Sequence, residues 1–193
     1  MTNLRITVCG VEELEGHARN ASSPVTHILS LLNPGWPVPE GLAAFGSHRR
    51  LDLRFHDIID PLPGMRVPAQ TEVEALLAFG REVTVDRGSH LLVHCEKGLS
   101  RSTAALCLIL LQAAPECSPA DVLAEVVRIR PRAWPNLRLV EIGDLLLKQN
   151  GALISAASTV YRTRLDGRPA LAEAMIEMGR ARELALAGGM YRR

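Results

Sequence analysis

The chain has 193 residues, of which 47% are hydrophobic and 22% charged, with a formal net charge of +1. That supplies the core of one domain, or of one domain with an appendage. The near-neutral balance argues against nucleic acid or an anionic membrane surface as the main partner. In chain order, residues 6–8 read as a short first strand, and residues 11–17 open a first turn or helix. Residues 25–32 (VTHILSLL) form a second strand, stopped by Asn33-Pro34-Gly35. Residues 50–55 (RLDLRF) alternate with period two and form a third strand, followed by a Pro/Gly-rich loop over residues 57–68. Residues 70–81 carry Val73, Leu76, Leu77 and Phe79 at helical spacing. Residues 91–95 are apolar enough for a central strand. Residues 101–112 predict a helix apolar almost all round, hence buried. Residues 118–129 predict an amphipathic helix with Ser118 as N-cap and Pro119 in its first turn, broken by Arg130-Pro131. Further helices are expected over residues 136–148, ended near Gly151, and over residues 169–187, ended by Gly188-Gly189. Strands early and helices late predict an α/β fold, a sheet flanked by helices.

The N-terminal MTNLRITVCGVEELEG lacks the long apolar stretch of a signal peptide. The longest apolar run, residues 104–114 with Gln112 inside it, is too short to span a bilayer. The cysteines (Cys9, Cys95, Cys107 and Cys117) have no CxxC or metal spacing, and the histidines form no HxxxH or HExxH pair. A reduced, cytoplasmic setting with no metal and no cofactor is therefore expected.

Residues 91–103, LLVHCEKGLSRST, carry the chemistry. An apolar strand runs into His94-Cys95, five residues follow, and Arg101-Ser102-Thr103 opens the buried helix. The N–H groups of such a loop point inward and the helix dipole adds partial positive charge, so the pocket suits a tetrahedral dianion. It also stabilises a thiolate, the reactive form of cysteine. An arginine at a helix start is electrostatically unfavourable unless an anion sits there. No Gly-Lys-Ser/Thr follows the glycine, so this is not a Walker loop.

His-Cys, five residues, Arg, then Ser or Thr resembles the signature of the cysteine-dependent protein tyrosine and dual-specificity phosphatase superfamily, here in a bacterial member. The resemblance spans roughly residues 4–150. It implies a central mixed, mainly parallel sheet flanked by helices, a catalytic domain over residues 1–150, and a helical extension over residues 151–193 packed on or next to it. It implies Cys95 as the nucleophile that forms a phosphocysteine. Arg101 becomes a planar fork for two phosphate oxygens. Glu96, Lys97, Gly98, Leu99, Ser100 and Arg101 become the phosphate-binding loop, which would also take sulfate or vanadate. His94 is expected to hydrogen-bond within the loop and keep it organised. Ser102 matches the hydroxyl that stabilises the departing thiolate, although serine is common in first helical turns in any case.

The leaving oxygen needs a general acid. Asp57 and Asp60 are the candidates. Phe55-His56-Asp57 before the proline-rich run resembles the strand-end aspartate of regenerating-liver phosphatases, which favours Asp57. Asp60 reads otherwise as a turn residue before Pro61. Either lies several residues farther upstream of Cys95 than in the common dual-specificity pattern. The stretch from Arg130-Pro131 to Pro135-Asn136 resembles the family segment that braces the loop, or is simply a rigid proline turn. Arg180 and Arg182 read as a solvated helix face. Cys107 reads as core, with a resolving role for Cys107 or Cys9 as the minor alternative. The expected substrate is a phosphorylated protein or a small phosphomonoester. The alternatives are a phosphoinositide or inositol phosphate, an RNA 5′ end, a sulfurtransferase substrate, and a catalytically inactive phosphate-binding module. Lipid-directed members carry more basic loops than one containing Glu96.

Overall fold

The computed structural model describes residues 4–85 and 88–188. Strands β1 (Arg5–Gly10), β2 (His27–Leu32), β3 (Arg49–Arg54) and β4 (His90–Cys95) form one sheet in the order β1-β4-β2-β3. Every pairing among the described residues is parallel, so the sheet expected to be mixed and mainly parallel is wholly parallel there. The connections explain this. α1 (Leu14–Asn20) separates β1 from β2, a 3-10 turn at Glu40–Ala44 separates β2 from β3, and α2 (Gln70–Val85) separates β3 from β4. Each connection crosses back to the same sheet end, and none is the short hairpin an antiparallel pair needs.

β2 and β4 are buried along their whole length. Successive side chains go to opposite faces. Leu29, Leu31, Leu91 and Val93 join the larger core on one face, while Ile28, Leu92 and Cys9 join Leu14, Leu42 and Phe45 on the other. Burial on both faces is why these strands read as unbroken apolar runs. The larger core is centred on α3 (Arg101–Ala113), packed between α2, α4 (Pro119–Ile129) and α5 (Leu137–Leu146). A Cβ at Gly143 would lie 2.1 Å from Leu108 Cδ2, so the close approach of α5 to α3 requires glycine.

The helix expected over residues 169–187 is two helices, α7 (Pro169–Glu177) and α8 (Ala181–Leu186). Gly179, at φ +73°, turns the chain between them. Of the Gly188-Gly189 stop, Gly189 lies outside the described residues. A further helix that periodicity did not single out, α6 (Ala152–Leu165), buries only the narrow stripe Leu153, Ala157 and Tyr161. The Asp144 carboxylate accepts from the amides of Gly151 (2.7 Å) and Leu153 (3.0 Å), which fixes the start of α6. Tyr161 stacks on Trp134 at 5.0 Å, and its hydroxyl donates to Pro135 O at 2.5 Å. Leu153, Tyr161, Ala172, Met175 and Leu184 belong to the same core as α3. These last helices therefore reach the segment that lies against the loop after β4.

Candidate active site

β4 ends at Cys95 and α3 begins at Arg101, so the intervening loop lies at the carboxyl ends of the strands, where open parallel sheets place their sites. The loop carbonyls are all engaged. Glu96 O accepts from Val11 N (3.0 Å), Leu99 O from Trp134 N (2.8 Å), and Ser100 O from Asn136 N (3.3 Å) and Ala104 N (3.1 Å). Arg130 Nη2 donates to Lys97 O (3.1 Å) and Arg130 Nε to Gly98 O (3.1 Å). Arg130 is itself fixed by Glu13, which it meets at 2.8 Å. Among the described residues, no amide of residues 96–100 donates to a protein acceptor. Ser100 is the N-cap of α3, but its hydroxyl makes no hydrogen bond to the helix's first amides. Carbonyls tied outward and amides left over make a ring of donors at an uncapped helix N-terminus. Gly98 makes this path possible. Its φ is +67°, and a Cβ there would lie 2.4 Å from the Cys9 carbonyl carbon.

Cys95 is 2% exposed, and its Sγ lies 3.3 Å from Ser102 Oγ. Arg101 is buried. Its Nη1 donates to Asn33 Oδ1 and Phe55 O, both at 2.8 Å, so the ends of β2 and β3 hold the guanidinium in place. Its Nε is buried without a hydrogen-bond partner. An uncompensated donor on a buried guanidinium is costly unless an anion meets it. Burial pushes the Cys9 and Cys107 thiols up to about 12, so both stay protonated near neutral pH.

His94 corrects one expectation. It does not bond within the loop. Because side chains alternate along β4, His94 faces away from Cys95, and its Nε2 meets Ser30 Oγ on β2 at 2.5 Å. Ser30 and His94 are register partners. Burial pushes the imidazole down to about 4, so it is neutral at physiological pH. It anchors the strand end beneath the loop.

Asp57 follows β3. Its Oδ1 accepts from Ser100 Oγ (2.7 Å) and Asn136 Nδ2 (2.8 Å). Its Oδ2 lies 4.0 Å from Arg101 Nε. Asn136 caps α5 with its side-chain oxygen Oδ1, which accepts from Leu139 N at 3.1 Å. Asp60 lies apart: it pairs with Arg182 at 2.7 Å and does not line the cleft over Cys95. His56 lines that cleft, and its Nδ1 accepts from Arg66 N at 2.9 Å, closing the base of the proline-rich loop.

Arg180 is not on a solvated face, as its sequence context suggested. It is 5% exposed, donates to Ser100 Oγ (3.0 Å), lies 3.5 Å from Asp57 Oδ1, and grips Glu183 with two bonds of 2.7 and 2.8 Å. The break at Gly179 rotates Arg180 inward, which a continuous helix would not do. Burial opposes its charge, but Glu183 and Asp57 outweigh that and raise its pKa. Glu183 is anchored further by Trp134 Nε1 (2.5 Å) and Leu137 N (3.1 Å). Arg182 remains half-exposed and also pairs with Glu141.

A cleft of about 640 Å³ opens over the loop. It brings together Cys95, Glu96, Lys97, Leu99, Ser100, Arg101 and Asp57, while Gly98 is buried behind it. The sequence did not point to Asn33, Arg132, Arg164, Arg168 or Arg180, which line it too. Asn33 looked like a turn residue, and isolated arginines carry no spacing signal. Among the described residues, no His/Cys/Asp/Glu group could hold a metal ion, and no helix is long and apolar enough to cross a membrane.

No protein-family model matches the sequence, and no curated protein matches it. Solved structures do match. Human DUSP28 is 22% identical, with a TM-score of 0.56 over 75% of this chain and 94% of that one. PTPMT1 in complex with PI(5)P is 16% identical, with a TM-score of 0.51 over 75% and 91%. Tk-PTP in the active form is 22% identical, with a TM-score of 0.50 over 75% and 92%. At these identities the likeness concerns the fold, and the parallel sheet flanked by helices described here is the fold of these phosphatases.

Proposed function

We propose that this chain is a cysteine-dependent phosphoric monoester hydrolase, a protein tyrosine or dual-specificity phosphatase working through a phosphocysteine on Cys95. The observation that carries the reading is the loop of residues 96–100, whose carbonyls are all tied outward around Cys95 and whose amides have no protein acceptor. Those amides and Arg101 hold the three non-bridging oxygens of the phosphoryl group and stabilise the charge that spreads over them. The Cys95 thiolate attacks phosphorus in line, the bond to the leaving oxygen breaks, and Asp57 gives that oxygen its proton. Asp57 Oδ1 is occupied by Ser100 and Asn136, so Oδ2 is the oxygen that carries the proton. Water then attacks the phosphocysteine, Asp57 takes its proton, and Ser102 Oγ donates to Sγ as the thiolate departs. His94 and Gly98 act by fixing the loop.

Residues 1–150 form the catalytic unit in this reading, and residues 151–193 form a helical extension that supports it through Arg180. The substrate is a phosphorylated protein or a small phosphomonoester, met in the cytoplasm, and phosphate, sulfate or vanadate competes for the loop. A second reading, a phosphoinositide or inositol phosphate phosphatase, is favoured by one observation: Arg132, Arg164 and Arg168 share the cleft. The test is turnover across phosphopeptides, phosphoinositides and inositol phosphates. Cys95→Ser should abolish turnover and retain substrate binding. A wild-type chain that binds phosphate but hydrolyses none of the panel would instead be an inactive phosphate-binding module.

A further inference from the structure

The cleft over Cys95 carries a second set of charged side chains besides the loop's own. Arg132 comes from the turn after α4, Arg164 from the last turn of α6, and Arg168 from the start of α7. Among the described residues none of the three makes a salt bridge or a side-chain hydrogen bond, although Asp166 lies between two of them in sequence. Elsewhere on the surface, Arg19, Arg49, Arg128 and Arg182 all have carboxylate partners. Arg164 is half-buried, and its pKa is lowered, by burial and then by the charges of Arg168 and Arg132. Three guanidiniums are therefore gathered from separate elements against their mutual repulsion. Around the whole cleft, six cations face two carboxylates, Asp57 and Glu96. The same cleft is also lined by the apolar side chains of Met65, Leu171, Met175 and Met178. Methionines adapt to irregular carbon skeletons.

We propose that Arg132, Arg164 and Arg168 form a second anion subsite, which takes another phosphoryl group of a small, multiply phosphorylated substrate whose scissile phosphate sits over Cys95. This rests on the phosphatase reading above and names its substrate class: a compact polyol phosphate, free or as the headgroup of a lipid. The cleft volume of about 640 Å³ suits a small molecule. Converging unpaired guanidiniums suit clustered phosphates better than a single phosphorylated side chain on an extended peptide. The positive charge comes from the helices after residue 150 and the turn after α4, not from the loop, whose Glu96 gives no sign of it.

The test uses the full chain. Wild type is assayed on an aryl phosphate, inositol monophosphate, inositol bisphosphate, a doubly phosphorylated peptide, and vesicles of phosphatidylcholine with and without a phosphatidylinositol bisphosphate. Binding is measured in parallel on Cys95→Ser. Inositol bisphosphate should be preferred over monophosphate, chiefly through KM. Arg164→Gln with Arg168→Gln should reduce that preference about a hundredfold or more, the size of two lost charge-assisted hydrogen bonds. Arg164→Lys with Arg168→Lys, which keeps the charges but not the planar two-pronged donor, should retain part of the preference. A loss in the lysine variant that falls equally on mono- and bisphosphate would show that the two residues act by packing, and would overturn the subsite. So would equal losses on mono- and bisphosphate in the glutamine variant, or a preference for the doubly phosphorylated peptide. Turnover of the vesicle lipid but not the soluble bisphosphate assigns the headgroup to a lipid, and the reverse assigns a free metabolite. Failure of the phosphatase reading is distinguishable, because the aryl phosphate itself would then not turn over.

Discussion

Cys95 differs from its neighbouring thiols in chemistry more than in exposure. Cys9 and Cys107 are as buried, but burial holds both protonated, with values near 12. Cys95 alone lies beside a ring of amides, a helix N-terminus and Arg101. Iodoacetate near pH 7 should therefore label Cys95 well before Cys9 and Cys107, and phosphate or vanadate should slow that labelling. Equal labelling of the three, read by peptide mass spectrometry, would sink the anion-pocket reading. The two aspartates can be separated in the same way. Asp57 faces Arg101 inside the cleft, and Asp60 is engaged by Arg182 outside it. Asp57→Asn should lower kcat by about 10²–10⁴-fold on an alkyl phosphate, the usual contribution of a general acid, and much less on an activated aryl phosphate. Asp60→Asn should show no such dependence on the leaving group. If the two patterns are exchanged, the acid is Asp60.

At the scale of the element, the strand–loop–helix unit is held by contacts on both sides of the sheet. Beneath it, the neutral His94 ring meets Ser30. Its folded value of about 4 lies below its ordinary 6.5, so the native state binds fewer protons than the unfolded chain between those limits. The associated stability is fully present above pH 6.5 and is lost as pH falls towards 4, about 3 kcal/mol in all. His94→Asn should remove this part of the acid destabilisation, so urea unfolding followed from pH 7 to pH 4 should give a shallower slope than wild type. A slope identical to wild type would show that His94 titrates normally. Above the sheet, the loop passes Cys9 so closely that Gly98 has no room for a Cβ. Gly98→Ala should cost about 1–3 kcal/mol through the left-handed backbone alone. By displacing the amides it should also lower kcat/KM about a hundredfold. A variant that keeps wild-type kcat/KM would mean the loop path is not fixed by this contact.

At the scale of the whole molecule, the C-terminal helices reach Ser100 and Asp57 through a buried ion pair. Arg180 joins Ser100 and Asp57 to Glu183, and Glu183 is bound in turn by Trp134 and Leu137. Removing one partner of such a pair leaves an uncompensated buried charge. Arg180→Leu should thus destabilise the fold by about 3–5 kcal/mol in chemical denaturation. The double variant Arg180→Leu with Glu183→Leu should recover much of that loss. Activity should stay low in both, because Asp57 has lost one of its two flanking guanidiniums. Activity that returns together with stability would mean that Arg180 serves the fold alone.

The sequence by itself determined the local chemistry. Residues 91–103 specify strand, loop and helix through adjacent signals: an apolar run, a glycine and a first-turn hydroxyl. Cys95, Arg101 and Ser102 fall within that short segment, so their proximity follows from chain connectivity. The long helices at residues 101–112 and 118–129 were legible because each buries a continuous face or carries a cap. Contacts between distant residues were not legible. The face taken by His94 depends on its pairing with Ser30, and the choice between Asp57 and Asp60 depends on where Ser100, Asn136 and Arg182 stand. The sheet is parallel throughout because of crossovers whose direction leaves no mark in strand composition. Arg180 looked solvated because a break at Gly179, not the periodicity around it, turns it inward. Tertiary structure alone gathered Arg132, Arg164 and Arg168 into one wall, since three charges on separate elements share no spacing until the helices pack.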